Sequence, residues 1–553
     1  MDEVKASSLP QLPDKYYLDY FYFLLTYIKK YYYPLLTAEE NRFLSGFENL
    51  TKDSQCLFVR LANRRGRLFR EDKLNYKEIN SISACINELQ EKGFVTLYSR
   101  KNQFDLKDVF KLFSSKELLE RFNLKKNSSF LTKESIINFI INSITSIEIM
   151  EALNEPPIIK QEHQEEIEFF KFLFTGHLDF DMSAFVVKDL GNIKYQNYDE
   201  DLFLPIFSNR QEIDDTFYMA QNYRLFKEYS TEKPGIEIYH WLQALNIDKS
   251  SMASKAVRVY EKINLKLGTI LEKDREYESA ISLYNATSIQ PARERLVRTL
   301  WKTGRKRDAL ELCNQMTLDY TSFDEKTFAL DFIRKNQDKK SRKSVTEALE
   351  KAEVCTFKID NTLPVEISYL NYLQAKGYGG FFSENYLWRG FFGLLFWDLI
   401  FNQENHTIHH PFQFLPSEIY SRDFFELNKE ILEGRAEVLY KKNKFKKLIK
   451  NVWVQKYGTA NGLFPWYEDL LDHIYIVYSL LEPEQIKAIL FELAKDLKQS
   501  GVGFPDVFVF KKNEYYFAEV KSVNDKLSPQ QLAWLNFFNS RKINIRLVRV
   551  LNG

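Results

Sequence analysis

Cysteine is scarce in this chain. Cys56, Cys85, Cys313 and Cys355 are the only four in 553 residues; they stand far apart, and the seven histidines complete no Cys/His ligand set with them. That spacing excludes a zinc finger and a disulfide scaffold. With no leader-like segment in Met1-Asp-Glu-Val-Lys5, it leads us to expect a reducing interior, the cytoplasm. Long apolar runs are also lacking. The most apolar stretch, Gly390 to Phe401, falls short of the roughly 20 residues of a membrane helix and carries Asp398, so it reads as a core helix and no membrane contact is expected. Nor does one charge dominate: 77 Lys and Arg stand against 76 Asp and Glu, a net charge of +1. Any nucleic-acid surface must therefore come from local clusters, not from a global field.

What the chain does have is length, aromatics and one unusual hairpin. At roughly 150 residues per domain it must contain several domains. The hairpin lies in Gly501-Val-Gly-Phe-Pro-Asp506-Val-Phe-Val-Phe510, followed by Tyr515-Tyr-Phe-Ala-Glu519-Val-Lys521. Val507 to Phe510 and Tyr515 to Ala518 are almost continuously apolar, as strands buried on both faces are, and Lys511 to Glu514 is polar enough to turn between them. An even loop pairs Phe510 with Tyr515 and sets Asp506 opposite Glu519. Facing like charges are destabilising, and a divalent cation reverses that sign. Hard cations such as Mg²⁺ take carboxylate and carbonyl oxygens, so Asp506, Glu519 and the Val520 carbonyl form a candidate half-shell. Lys521 shares the Glu519 face, placed to stabilise phosphate charge or orient water. The alternative is a solvated hairpin edge whose acids merely pair with Lys521. Beyond it, Ser528-Pro529 predicts a helix with a serine N-cap and proline at its first position.

Pro505-Asp506, Glu519-Val520-Lys521 and the tail Asn524-Asp-Lys-Leu-Ser528 with Gln531 and Trp534 resemble the PD-(D/E)XK nucleases and, within them, the VRR-NUC branch. Upstream, Glu384-Asn-Tyr-Leu-Trp-Arg389-Gly-Phe-Phe-Gly393-Leu-Leu-Phe-Trp397-Asp398 and Pro411-Phe412-Gln413 are similar to the elements before the nuclease core of Fanconi-associated nucleases. The resemblance implies that Glu384 is a third metal carboxylate and Gln413 a polar group beside it or one that positions water. Read on a helix, Glu384 heads the apolar row Leu387, Phe391, Leu394 and Asp398; there a carboxylate needs a partner, either a metal or Arg389 or a backbone amide. His406, His409 and His410 sit just before Gln413, but their spacing fits no helical ligand pair and Pro411 argues for an extended loop.

Basic clusters interrupt the rest of the chain. The tyrosines from Tyr16 to Tyr33 read as helical packing, not as a base-stacking surface. Arg60, Arg64, Arg65, Arg67, Arg70 and Lys73 form a patch suited to phosphates, and the order helix, helix, strand through Phe94 to Tyr98 suggests a winged helix, which the same nuclease family also has. Two short helices joined by a basic loop between Asp108 and Ile140 resemble a SAP-like module, with Lys125, Lys126 and Lys133 as candidate duplex contacts. Leu267 to Tyr284 and Leu300 to Leu312 rhyme with small residues at Ala280 and Ala309, a tetratricopeptide-like scaffold. Arg293, Arg295, Arg298, Lys302, Arg305, Lys306 and Arg307 could make a second phosphate strip there. Lys441 to Lys450 is a third basic run, read as a solvated helix face, with a DNA groove near the active site as the alternative.

The expected fold is multidomain and mainly α-helical: an N-terminal helical and winged-helix region over 1–100, a SAP-like module over 101–150, a tetratricopeptide-like scaffold over 151–360 and an α/β PD-(D/E)XK (VRR-NUC) core over 361–553. The resemblance implies a DNA nuclease of phosphodiesterase I type that uses Mg²⁺ or Mn²⁺ on branched or flapped DNA. It further implies 5′-flap incision, 5′-to-3′ trimming and a role in interstrand-crosslink repair. A bacterial member is expected, because no ubiquitin-binding zinc finger of the eukaryotic kind is encoded; the protein partners are not legible. A Holliday-junction resolvase or a non-catalytic branched-DNA scaffold are the alternatives.

Overall fold

The computed structural model describes residues 12–553 apart from 100, 102, 103, 125–131, 192, 339–341, 361, 405, 422, 423 and 499. The chain divides into two compact units, Met1–Asn192 with Pro205–Phe217, and Ile193–Leu204 with Tyr218–Gly553. Among the described residues no helix is long and apolar enough to cross a membrane.

The first unit opens with α1 (Tyr16–Tyr32), α2 (Ala38–Glu48) and α3 (Lys52–Ala62). Thr37 and Thr51 start α2 and α3 by accepting from Glu40 N and Ser54 N, which satisfies amides that a helix leaves unpaired at its first turn. The aromatic residues of α1 go to packing, as expected: Tyr17, Phe21, Tyr27 and Tyr32 are buried, and Phe21 meets Phe47 edge-on at 5.0 Å. Then come β1 (Leu68–Arg70), α4 (Ile82–Glu91) and β2 (Val95–Leu97), and after a four-helix insertion β3 (Ile158–Gln161) pairs antiparallel with both strands. The insertion, α5 (Leu106–Lys111), α6 (Ser115–Arg121), α7 (Lys133–Ser143) and α8 (Ser146–Leu153), buries Val109, Phe110, Phe113, Leu118, Ile136 and Ile140 in a cluster that Ile158 of β3 joins. The winged-helix sheet is thus closed by a strand from beyond residue 150, a stretch expected to begin the helical scaffold. α9 (Gln164–Thr175) and α10 (Ser183–Asp189) pack Phe174 and Phe185 onto α1, with Tyr20 and Phe185 stacked at 4.9 Å. Arg210, heading α11 (Arg210–Glu232), forks onto Glu40 at 2.7 and 3.0 Å.

In the second unit α12 (Gly235–Ala244), α13 (Ser254–Lys273), α14 (Tyr277–Asn285), α15 (Ala292–Lys302), α16 (Lys306–Leu318), α17 (Phe323–Gln337) and α18 (Ser344–Glu350) form the helical scaffold, consecutive helices from α12 to α17 packing on one another. The small residues sit at the crossings. Ala280 and Ala309 are fully buried, and a Cβ on Gly268 would come within 2.6 Å of the Tyr284 ring.

The C-terminal α/β region that follows comprises β4 (Glu353–Phe357), α19 (Val365–Ala375), β5 (Gly379–Phe382), α20 (Tyr386–Ile400), α21 (Phe424–Ala436), α22 (Lys442–Lys456), α23 (Leu470–Leu480), α24 (Pro483–Lys495), β6 (Val507–Lys511), β7 (Glu514–Lys521), α25 (Pro529–Ser540) and β8 (Ile545–Asn552). Its sheet runs β4-β8-β7-β6-β5, parallel across the first three strands and antiparallel across the rest. Successive side chains alternate between faces. Val507, Val509, Tyr516 and Ala518 meet Tyr369 and Leu373 of α19, whereas Phe508 and Phe517 join Trp388 of α20 and Phe538 of α25 in the larger cluster. Both faces are covered, which is why these strands read as continuous apolar runs. The sheet begins at Glu353, a few residues before the boundary expected at 361.

Candidate active site

The hairpin register is the one that an even loop requires. Phe510 pairs with Tyr515 and Val507 with Ala518, so one step further Asp506 faces Glu519. Ser383, just past β5, fixes the approach: its N–H donates to the Asp506 carbonyl at 2.9 Å and its hydroxyl to the Pro505 carbonyl at 2.9 Å. The Val520 N–H donates to Asp506 Oδ2 at 2.7 Å. Lys521 emerges on the Glu519 side, its Nζ 2.6 Å from Glu519 Oε1. That buried ion pair makes Lys521 the charge partner of Glu519.

All three groups are sealed from solvent, with exposures of 4% for Asp506, 1% for Glu519 and 8% for Lys521. Burial pushes the Asp506 carboxyl up to about 7, aided by the charges of Glu366 and Glu384; the Val520 amide and Lys521 pull the other way. Burial and then Asp506 push Glu519 well above the usual carboxylate range, with Glu384 adding to the effect. For Lys521, burial works against the charge, but Glu519 outweighs it and holds the ammonium above its ordinary value. Four carboxylates, Asp506, Glu519, Glu384 and Glu366, thus share a field that one lysine offsets only in part.

Glu384 reaches this field differently from the helical reading. α20 begins at Tyr386, and its N-cap Asn385 has φ 50° and ψ −50°, so Glu384 lies outside the helix in the turn after β5. Its carboxylate accepts from Asn385 Nδ2 at 3.0 Å, and it is not paired with Arg389. Glu366, at the head of α19, was not singled out from the sequence; its only signal is a place at the start of a helix that packs on β5, β6 and β7. Gln413 goes elsewhere: it accepts from the His409 N–H at 2.8 Å and donates to the carbonyls of Thr407 and Leu415, so its amide braces its own loop. His406 bonds Glu418 and His409 bonds the Leu204 carbonyl, in keeping with a loop role. Asp398 is held by both nitrogens of the Arg435 fork, the longer bond being 2.7 Å.

The donor set fits a hard divalent cation: Asp506 and Glu519 carboxylates, the Val520 carbonyl between Glu519 and Lys521, and Glu384 at the edge. Two buried facing acids share one ammonium, and a divalent cation would offset the repulsion that Lys521 offsets only in part. Among the described residues no three acidic, His or Cys side chains form a ready coordination shell; Glu519 is turned onto Lys521 instead.

The family model described as "FAN1, HTH domain" matches residues 15–96, and the "VRR-NUC domain" model matches residues 441–552, which contain the whole hairpin. A Fanconi-associated nuclease 1 homolog of Pseudomonas aeruginosa is 25% identical over 98% of this chain and 97% of its own length. The chain is similar to the Fanconi-associated nucleases at both ends and, with this relative, along nearly its whole length. A homolog from Arabidopsis thaliana is 26% identical over 93% of the chain, which spans only 64% of that relative. Among solved structures, paFAN1 bound to DNA with a two-nucleotide 5′ flap and a gap superposes with a TM-score of 0.83 at 24% identity, over 98% of this chain and all of that one.

The basic residues separate into free and committed groups. Arg64, Arg65 and Arg67 are exposed between α3 and β1, and Lys73 is exposed 4.0 Å from Asp72. Arg70 is buried and bonded to Asp72 and Glu117 at 2.7 Å each, so its guanidinium serves the fold. Lys133 donates to the Lys111 carbonyl at 2.9 Å, and Lys125 and Lys126 lie outside the described residues. The strip on α15 and α16 is largely neutralised: Arg293 pairs with Asp319, Arg295 and Lys302 with Glu272, Arg298 with Glu294 and Arg305 with Glu278. On α22, by contrast, Lys442, Lys446, Lys447 and Lys450 are exposed. A cavity of about 1490 Å³ is lined by Val502, Lys526 and Gln530 together with Arg298, Trp301 and Phe328 of the helical scaffold.

Proposed function

We propose that this chain is a structure-specific DNA nuclease that hydrolyses phosphodiester bonds at 5′ flaps and trims 5′ to 3′, with Mg²⁺ or Mn²⁺, in DNA repair that includes interstrand crosslinks. The observation that carries it is the buried pair Asp506 and Glu519, two facing acids offset by one lysine and one amide. The family name supports the reaction, and the fold is one on which paFAN1 holds 5′-flap DNA. The cavity lined by Lys526 and Trp301 has room for displaced nucleotides.

When bound, a divalent cation would polarise the phosphate and ease deprotonation of water. The side chains do the rest. The Val520 N–H fixes Asp506 Oδ2, so the carboxylate presents its other oxygen in one orientation. Lys521 holds its proton firmly and offers an ammonium to the negative charge that develops on the phosphate. Glu519, once released from Lys521, supplies the second carboxylate, and Glu384 closes the site from the β5 side. Trp388, Phe504 and Trp534 pack together on the segment that leads into Asp506, Phe504 stacking on Trp534 at 4.0 Å.

The test incubates protein with labelled 5′-flap, 3′-flap and four-way substrates, with Mn²⁺ or with chelator, for wild type and Asp506→Ala. Cleavage near the 5′-flap junction that needs Mn²⁺ and Asp506 is expected. Symmetric cutting of the four-way junction would replace this reading with a resolvase, and binding without cleavage in every metal would replace it with a scaffold.

A further inference from the structure

Arg389 is the one basic residue of α20, set in a helix whose other side chains are nearly all apolar, and it lies five positions after Glu384. Its guanidinium is half-buried, and its Nε is fully buried without a hydrogen-bond partner. Among the described residues no carboxylate pairs with it; Glu384 bonds Asn385, and the other charged residue of α20, Asp398, is taken by Arg435. A desolvated cation without a counter-charge is costly, and an arriving anion would relieve that cost.

The packing around Arg389 makes room for that cation. A Cβ on Gly501 would lie 2.6 Å from Arg389 Nη2 and 2.7 Å from Nε, so the glycine leaves space for the guanidinium against the loop. Gly501 opens the segment that delivers Asp506, and the next residue, Val502, lines the cavity together with Lys498 and Lys526. Val502 is itself anchored, its carbonyl accepting from Trp534 Nε1 at 3.1 Å. The guanidinium is therefore held between the two chain segments that carry Glu384 and Asp506, on a rigid helix, with its terminal nitrogens unspent.

We propose that Arg389 is a phosphate-binding residue of the cleavage site, its planar fork taking the non-bridging oxygens of a backbone phosphate in the cleaved strand. Arginine matches that geometry in a bidentate way that lysine does not. The inference rests on the nuclease reading. A purely structural alternative is that Arg389 holds the carbonyls at the end of α24 near Leu497.

The experiment uses the full chain with Mn²⁺ and a 5′-flap substrate in which each phosphate near the cut is replaced, one at a time, by a neutral methylphosphonate. Arg389→Gln is expected to lower kcat/KM by on the order of 100-fold on unmodified DNA. At one position the methylphosphonate should cost wild type a similar factor and cost Arg389→Gln nothing more, the non-additivity that a direct contact requires. Arg389→Lys, which keeps charge and bulk, should recover part of the activity, and it serves if the glutamine variant does not fold. Effects that simply multiply at every position, or wild-type cleavage by both variants, would overturn the role for Arg389 while leaving the nuclease reading intact. Failure of wild type to cleave any substrate, with Asp506→Ala indistinguishable from it, would overturn the nuclease reading and this inference together.

Discussion

Asp506 links stability to pH and metal. Its carboxyl is raised to about 7 by burial, so between the ordinary carboxylate range and that value the folded chain holds a proton that the unfolded chain releases. The stabilisation from that proton is complete below the unfolded value and is lost as pH rises through the folded one. Metal-free protein is therefore expected to lose stability from about pH 4 to about pH 7 through this group, and Mn²⁺ should raise Tm more at pH 8 than at pH 5.5. Asp506→Asn should stabilise the metal-free protein at pH 8 by on the order of 2 kcal/mol and abolish the Mn²⁺ shift, as thermal melts will show. Lys521→Met leaves two buried acids unopposed; it should lower single-turnover cleavage by on the order of 10²- to 10³-fold with a small effect on DNA binding. The facing of Asp506 and Glu519 was legible in the sequence because strand alternation and an even loop dictate it. The contribution of Glu366 was not, since it depends on how α19 lies across the sheet. Nor was the place of Glu384, because the left-handed φ of Asn385 starts the helix two residues after it.

At the scale of elements, caps and apolar periods were readable and long-range pairings were not. Ser528 caps α25 through a reciprocal box with Gln531, at 3.1 and 2.9 Å, with Pro529 at the first helical position, all local chemistry. β3 was missed because its four residues look like any short apolar run, and its partners β1 and β2 lie across an insertion. The basic strip on α15 and α16 looked free because Glu272 and Glu278, which neutralise Arg295, Lys302 and Arg305, belong to preceding helices. Gly268→Ala should destabilise the scaffold by about 1–3 kcal/mol in denaturant unfolding, because the added methyl meets the buried Tyr284 ring.

For the whole molecule, two compact units bring separate basic surfaces to one chain of nearly neutral charge. Replacing Arg64, Arg65 and Arg67 with Gln is expected to weaken DNA binding and flatten its dependence on salt by about 0.9 in log–log slope for each phosphate no longer neutralised. The same change at Arg295 and Lys302 should leave the slope as it is, since those cations already have partners. The decisive measurement is single-turnover cleavage of a labelled 5′-flap substrate with Mn²⁺ by wild type, Asp506→Asn and Glu519→Gln, each checked for folding by circular dichroism. The facing acids of the β6–β7 hairpin predict that both variants fall by at least on the order of 10³-fold in rate while still binding DNA. Cleavage within about tenfold of wild type by either folded variant would contradict a catalytic centre at this hairpin.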